Sequence, residues 1–503
     1  MGYQSFNPAT GKLLKTFDEL TDKELEIKLA AAAKCFATWR LKTYAERAGI
    51  IAKAAELLHA QAAQFAHTMT LEMGKRIGEA LGEVEFSANI LSYYAKNAER
   101  FLAPVKLHPT LGEGHMESGP IGVVFCVEPW NFPYYQLARV AGPHLMAGNV
   151  LLVKHAGIVP QCAIAFETLL REAGAPAGLY TNLLISHDQS DAVVDDPRVK
   201  GVALTGSVAA GRSVAARAGR NLKPSSMELG GSDAFIVLED ADLEHTVKWA
   251  VWGRMYNTGQ TCCAAKRFVV VEKLADRFLE KFLAALAALK PGDPLDEKTT
   301  LGPLSSESAL VDLLKQVDGA VAHGAKVLMG GKRIARPGSY MQPTVLTDIA
   351  PGNPAFREEF FGPVALFFRV KDEDAAVALA NDSDFGLGGS VFTGDPGARQ
   401  ARRQPHRHRH DVHQQHLLVR CRAAVRRHQG LRLWPRARRH GHPAIREQEA
   451  GPLRGGRSAG LASGESAASK RTGNSAVASL RVLCSISPAP RPSAWRPRLA
   501  EQR

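Results

Sequence analysis

Hydrophobic and polar positions change period several times along this chain of 503 residues. Residues 3–20 alternate polar and apolar around Asn7-Pro8 and Gly11-Lys12, as short strands joined by a turn do. From Thr21 to about Arg100 the apolar positions take helical spacing, and Thr21-Asp22-Lys23-Glu24 offers a cap with a carboxylate three residues on. The helical period stops over 102–118, where His108-Pro109-Thr110 and Gly112-Glu113-Gly114 predict a hairpin-like arm. Beyond it, β-branched runs at 120–127, 149–155, 180–185 and 201–205 alternate with helical stretches at 134–145, 160–173 and 187–195. That alternation over 120–236 predicts a doubly wound, parallel α/β domain. A second α/β unit follows: a strand at 234–238, a helix at 243–256, a strand at 268–271, a helix at 275–289, and alternating elements to about Arg369.

Charge is divided unevenly over this pattern. The formal net charge is +13, but residues 401–503 hold 21 Arg and one Lys against five acids, leaving 41 basic and 45 acidic residues in 1–400. The basic character therefore belongs to the last fifth alone. Seven cysteines, at 35, 126, 162, 262, 263, 421 and 484, are odd in number and lack metal-ligand spacing, which points to a reducing compartment and to no metal. Met1–Pro8 carries no basic-then-apolar signal and no apolar run is long enough to span a membrane, so a cytoplasmic location is expected.

Several turns carry candidate chemistry. Pro129-Trp130-Asn131-Phe132-Pro133 is a rigid loop at the carboxyl end of a strand, where open α/β sheets bind ligands. The Asn131 amide can donate to an oxyanion, although Asn is also an ordinary turn former. Lys154, at the exit of the next strand, suits a nucleotide ribose or phosphate, or is solvated surface. Gly206-Ser207 through Gly211 passes from a strand into a helix, so backbone N–H groups face the turn as a phosphate site requires. The G-x-G-x-x-G fingerprint occurs nowhere. Glu228, before Leu229-Gly230-Gly231, lies in an apolar setting that raises a carboxyl pKa toward the range of a general base. Finally, Tyr256-Asn257-Thr258-Gly259-Gln260-Thr261-Cys262-Cys263 presents thiols after a tight glycine turn that the Asn257 and Gln260 amides can fasten. A thiol here is either a nucleophile, which must act as thiolate, or a core cysteine.

Read together, these motifs and Glu359-Phe360-Phe361-Gly362-Pro363, in this order and spacing, resemble the NAD(P)-dependent aldehyde dehydrogenase superfamily, and within it the succinate-semialdehyde branch. The resemblance covers residues 1 to about 398. It implies a cofactor-binding domain over 1–229 with an oligomerisation arm at about 102–118, a catalytic domain over 230–398, and a homo-oligomer. It also implies that Cys262, not Cys263, is the nucleophile, because the family's thiol follows Gly-Gln-x directly. Attack on an aldehyde would give a thiohemiacetal whose oxyanion is held by the Asn131 amide and the Cys262 backbone N–H. Hydride transfer would leave a thioester, and Glu228 would activate the hydrolytic water. Trp130, Gly206 and Gly211 fall at cofactor-binding positions; Ser207 and Lys154 would take the pyrophosphate and adenosine ribose, Glu359 and Phe361 the nicotinamide end. Gly157 stands where NAD-preferring members often carry Glu, so NADP is tolerated and the cofactor is NAD or NADP. Arg139 matches the position that reaches a substrate carboxylate, whereas a second such arginine would fall at Tyr256. A dehydrogenase for uncharged aldehydes therefore stays open beside one for succinate semialdehyde.

The resemblance stops near Arg399. Family members continue with a Gly-x-x-x-Ile-Asn strand and Pro-Phe-Gly-Gly-x-Lys-x-Ser-Gly-x-Gly-Arg-Glu; here stands His406-Arg407-His408-Arg409-His410, followed by Arg- and Ala-rich text. Back-translating Arg422–Arg439 and reading one base later permits Glu-Leu-Pro-Phe-Gly-Gly-Ile-Lys-Asp-Ser-Gly-Tyr-Gly-Arg-Glu-Leu-Gly. Residues 408–415 likewise permit Gly-Met-Thr-Phe-Ile-Asn. The expectation is a single-base frameshift just after Gly397 with read-through of the original stop, so that 399–503 is non-native, disordered and disabling. The competing reading is a basic tail that binds nucleic acid through its arginines. Arginine without lysine fits a shifted GC-rich frame better.

Overall fold

The structure, a computed structural model, describes residues 2–107 and 114–394, together with the backbone of Val412–His413. The N-terminal strands β1 (Tyr3–Asn7) and β2 (Lys12–Phe17) pair antiparallel. The helical stretch resolves into α1 (Asp22–Trp39), α2 (Tyr44–Ala60), α3 (Ala62–Met73) and α4 (Ile77–Phe101). Thr21 and Thr43 each build a capping box, with Glu24 and Glu46 returning to the cap backbone. The first of these is the cap expected from sequence. Strands β3 (Val105–Leu107) and β4 (Gly114–Met116) pair antiparallel as the two legs of the expected arm; its turn lies outside the described residues.

Next come β5 (Val123–Glu128), α5 (Pro133–Ala147), β6 (Val150–His155), α6 (Pro160–Glu172), β7 (Tyr180–Asn182), α7 (His187–Asp195), β8 (Val199–Thr205), α8 (Val208–Arg220) and β9 (Ser225–Glu228). Their strands form a parallel sheet in the order β7-β6-β5-β8-β9, with β5 central. A sheet covered on both faces buries alternate and intervening residues alike, which is why β5 and β6 read as unbroken apolar runs. The sequence pattern does not mark β9: Ser-Ser-Met-Glu is a short edge strand with an exposed start, and its consequence is that Glu228 ends a strand of this first sheet.

The second unit comprises β10 (Asp233–Val237), α9 (Leu243–Met255), β11 (Ala265–Val271), α10 (Glu272–Ala287), α11 (Glu307–Ala322), β12 (Lys326–Met329), β13 (Thr344–Thr347), β14 (Val364–Val370), α12 (Glu373–Asn381) and β15 (Gly389–Phe392). Its sheet runs β12-β13-β14-β11-β10-β15, parallel except for the β12–β13 edge, and the backbone of Val412–His413 pairs beside β15. The α/β expectation holds in both units. Phenylalanines fill the core between this sheet and α10: Phe235 stacks on Phe392 at 4.3 Å between ring centroids, and Phe268 lies 4.9 Å from Phe282. Among the described residues no helix is long and apolar enough to cross a membrane. The expectations for residues 399–503 fall outside the described residues, apart from the Val412–His413 pairing.

Candidate active site

The carboxyl ends of β5, β8 and β9 bring Glu128, Thr205 and Glu228 to one edge of the first sheet. The loop after β5 is pinned from below by a buried ion pair. Lys75, with no exposed side-chain surface, pairs with Glu83 and donates to the Asn131 carbonyl at 2.8 Å. The Lys75 ammonium also lies 3.8 Å from the Phe132 ring centroid. Glu83 in turn accepts the Tyr134 and Tyr135 N–H groups at 3.0 and 3.1 Å, a carboxylate at the positive end of α5. The Asn257 amide donates to the same Asn131 carbonyl at 2.8 Å. Asn131 is thereby fixed through its backbone, while its side-chain Nδ2 donates to the Gln260 carbonyl at 3.1 Å, two residues before Cys262.

The thiol loop is tightly wound. Asn257 and Thr258 both take left-handed φ, 53° and 54°, which costs free energy for residues with a Cβ and persists only where the surroundings impose it. Gly259 has φ 78° and lies against the Gly362 carbonyl, where a Cβ would overlap. The expected amide fastening is present: Asn257 Nδ2 donates to Gln260 O at 3.2 Å and Gln260 Nε2 to Asn257 O at 3.1 Å. Cys262 and Cys263 are half-buried and not disulfide-bonded. A hydrogen bond with the Cys263 thiol, then burial, pushes the Cys262 thiol pKa up, and the Lys266 charge opposes both.

Residues expected at the cofactor end assemble around this loop. Glu359 accepts the Gly231 N–H at 3.0 Å and pairs with Lys266 at 2.9 Å, lying so close to Gly230 that a side chain there would collide with it. Phe361 meets Trp130 edge to face at 5.7 Å. On the first sheet, Ser207 caps α8 by accepting the Ala210 N–H at 3.2 Å, and Gly206 precedes it. Gly211, in the first turn of α8, faces Leu229, and a Cβ there would overlap that side chain. Lys154 is part-buried at the end of β6 with its ammonium 5.6 Å from the Tyr3 ring centroid, and burial lowers its pKa. The charge of Glu19 opposes that lowering. A partly desolvated ammonium and a capped helix N-terminus at one sheet edge suit an anionic dinucleotide.

Arg139, on α5, turns to Thr205, donating to its Oγ1 at 2.5 Å, with Glu128 Oε2 at 3.9 Å. Its guanidinium also feels the charges of Glu228 and Cys262, so it belongs to the same cluster as the thiol. Tyr256, where a second arginine would fall, stacks on Phe132 at 6.0 Å and is half-buried. Glu128 was missed by the sequence reading. Burial raises its pKa to about 8 against the opposing charge of Arg139, so near neutral pH it is largely the uncharged acid despite that neighbour. The signal available was a carboxylate closing an otherwise apolar strand. Lys75, Glu83 and Lys266 gave no signal, because a charge in helical or strand text reads as solvated surface until tertiary packing covers it.

A cysteine on a constrained loop, an asparagine amide joined to that loop, and a glutamate on the facing sheet edge, set in two parallel α/β units, define the class. The chain belongs to the aldehyde dehydrogenase family, whose sequence profile matches residues 1–404. Among its relatives, the succinate-semialdehyde dehydrogenase (NADP(+)) of Deinococcus radiodurans is 48% identical over 393 residues, spanning 78% of this chain and 82% of that protein. The succinate-semialdehyde dehydrogenase (NADP(+)) 1 of Mycobacterium tuberculosis is 46% identical over 400 residues, 78% of this chain and 87% of that one. Of the solved structures, that of Gox0499, described for its cofactor and substrate selection, is 48% identical with a TM-score of 0.81, over 82% of this chain and 91% of that one. The succinic semialdehyde dehydrogenase of Streptococcus pyogenes, solved with NADP+, is 42% identical with a TM-score of 0.81 and the same coverage.

Proposed function

We propose that the chain oxidises a carboxylate-bearing aldehyde, succinate semialdehyde, to the dicarboxylic acid with NADP+, and NAD+ as the weaker alternative. The observation that carries the reading is the Asn131 amide held at 3.1 Å from the carbonyl of Gln260 on the thiol loop. Cys262 attacks the aldehyde carbon, and the oxygen that becomes anionic is met by the Asn131 amide and the Cys262 backbone N–H. Glu228, at the end of β9, takes a proton from the water that cleaves the thioester. Ser207, the N-terminus of α8, Lys154, Trp130, Glu359 and Phe361 would hold NADP+, which would supply the hydride acceptor. The relatives named for succinate semialdehyde and NADP(+) support this choice.

Arg139 supplies the substrate's counter-charge: in its neutral acid form the Glu128 carboxyl, 3.9 Å away, does not neutralise the guanidinium. Two outcomes test this in the chain with its reading frame restored. The ratio of kcat/KM for succinate semialdehyde over butanal should be large in the parent and fall toward unity in Arg139→Met; equal efficiency in the parent removes the anchor and favours uncharged aldehydes. The pH dependence has a defined sign. An acid whose pKa is raised to about 8 is protonated below that value and ionised above it. Above pH 8 Glu128 therefore competes for Arg139, and KM for succinate semialdehyde rises while that for butanal stays level. Glu128→Gln should abolish the rise, and a rise that persists in that variant assigns it to another group.

A further inference from the structure

The reading above gives the Cys262 N–H a role in holding the oxyanion, and the inference here rests on that reading: something must aim this N–H. Lys266 lies on β11 with no exposed side-chain surface. An ammonium has three N–H donors, and this one meets three acceptors: Thr261 O at 2.9 Å, Cys262 O at 2.7 Å and Glu359 Oε1 at 2.9 Å. The Phe361 ring centroid is 5.7 Å away. Each of these partners belongs to the thiol loop or to the Glu359–Phe361 motif.

Elementary peptide geometry gives the arrangement its consequence. In a trans peptide the C=O and the following N–H lie in the peptide plane and point in opposite directions. Holding the Thr261 carbonyl fixes the plane of the 261–262 peptide and turns the Cys262 N–H away from Lys266. Holding the Cys262 carbonyl fixes the next plane, so the loop cannot rotate about the nucleophile. Gly231 backs the same carbonyl so closely that a Cβ there would stand 2.8 Å from it. We propose that Lys266 is a positioning residue for the oxyanion site, orienting the Cys262 N–H toward the reacting carbonyl and locking that orientation to Glu359.

The alternative is a cation that only satisfies buried acceptors, and two reactions of the same sulfur separate them. Acylation by p-nitrophenyl acetate joins the thiolate sulfur to the acetyl carbon and releases nitrophenolate through an oxyanion. Alkylation by iodoacetamide displaces iodide and forms none, so it reads thiolate availability alone. Both rates are measured at Cys262, by mass spectrometry, in the 503-residue chain and in its frame-restored counterpart, with melting temperatures alongside. In Lys266→Met the ratio of acylation to alkylation should fall about 10²-fold, the order lost with one oxyanion donor, and Lys266→Arg should recover most of it. An unchanged ratio in Lys266→Met overturns the proposal, whatever happens to the melting temperature. Should that variant not fold, Lys266→Gln, which can still reach one carbonyl, carries the same comparison with the same meaning. A parent that folds but is not acylated at Cys262 overturns the nucleophile assignment and this inference with it.

Discussion

Cys262→Ala in the frame-restored chain should abolish aldehyde oxidation, while Cys263→Ala retains it. The argument is chemical before it is structural: a free aldehyde is a poor hydride donor, whereas the tetrahedral adduct of a thiolate is a good one, so without the sulfur no later step begins. Position selects between the two cysteines. At residue 262 both flanking carbonyls, those of Thr261 and Cys262, are held by Lys266, and the Asn131 amide joins the loop at Gln260, two residues before it. Cys263 touches the thiol and raises its pKa, which makes it a restraint on the nucleophile rather than a substitute. Losing Cys263 should therefore ease deprotonation of Cys262 and move the acid limb of the pH–rate profile to lower pH. Asn131→Ala supplies the graded comparison: removal of one preorganised donor should slow turnover by about 10²–10³, against complete loss for Cys262→Ala. Full activity in Cys262→Ala with Cys263→Ala dead would move the nucleophile one residue along, and unchanged turnover in Asn131→Ala would take that amide out of the mechanism.

How much of this was legible from the sequence follows from the range of each interaction. The central strands β5 and β6 announced themselves because burial on both faces leaves no alternation to hide them, and the Thr21 box because capping is local in sequence. The turn around Asn257 and Gln260 was readable for the same reason: its hydrogen bonds span three residues. Lys75 holding Asn131, 56 residues away, was not, nor was the pairing of Arg139 with Thr205 across 66. Such contacts depend on where the chain returns, and a lysine reads identically whether water or a carbonyl will receive it.

Restoring one base after codon 397 should convert an inactive or nearly inactive chain into a soluble oligomeric dehydrogenase. The described part of the second sheet shows what depends on the repair. β15 contributes Phe392, fully buried against Phe235, and pairs with β10 through Val237. Beyond β15 the sheet finds only the Val412–His413 backbone among the described residues. In the shifted frame residues 408–415 permit a Thr-Phe-Ile-Asn run, which would offer this edge large apolar side chains. As written, the same stretch reads His-Arg-His-Asp-Val-His-Gln-Gln, with Val412 its one large apolar side chain. Each large side chain buried contributes about 1.5–3 kcal/mol, against a net stability of about 5–15 kcal/mol for a domain, so two or three of them decide whether the sheet closes over the thiol. Arginines cannot take their place, since an unpaired charge in a core costs more than the contacts return. The family profile stops at residue 404. Expressing both versions and following reduced-cofactor formation with succinate semialdehyde decides the matter. Activity in the unrepaired chain equal to that of the repaired one would show that the arginine-rich text is tolerated and that the second sheet closes without the missing strand.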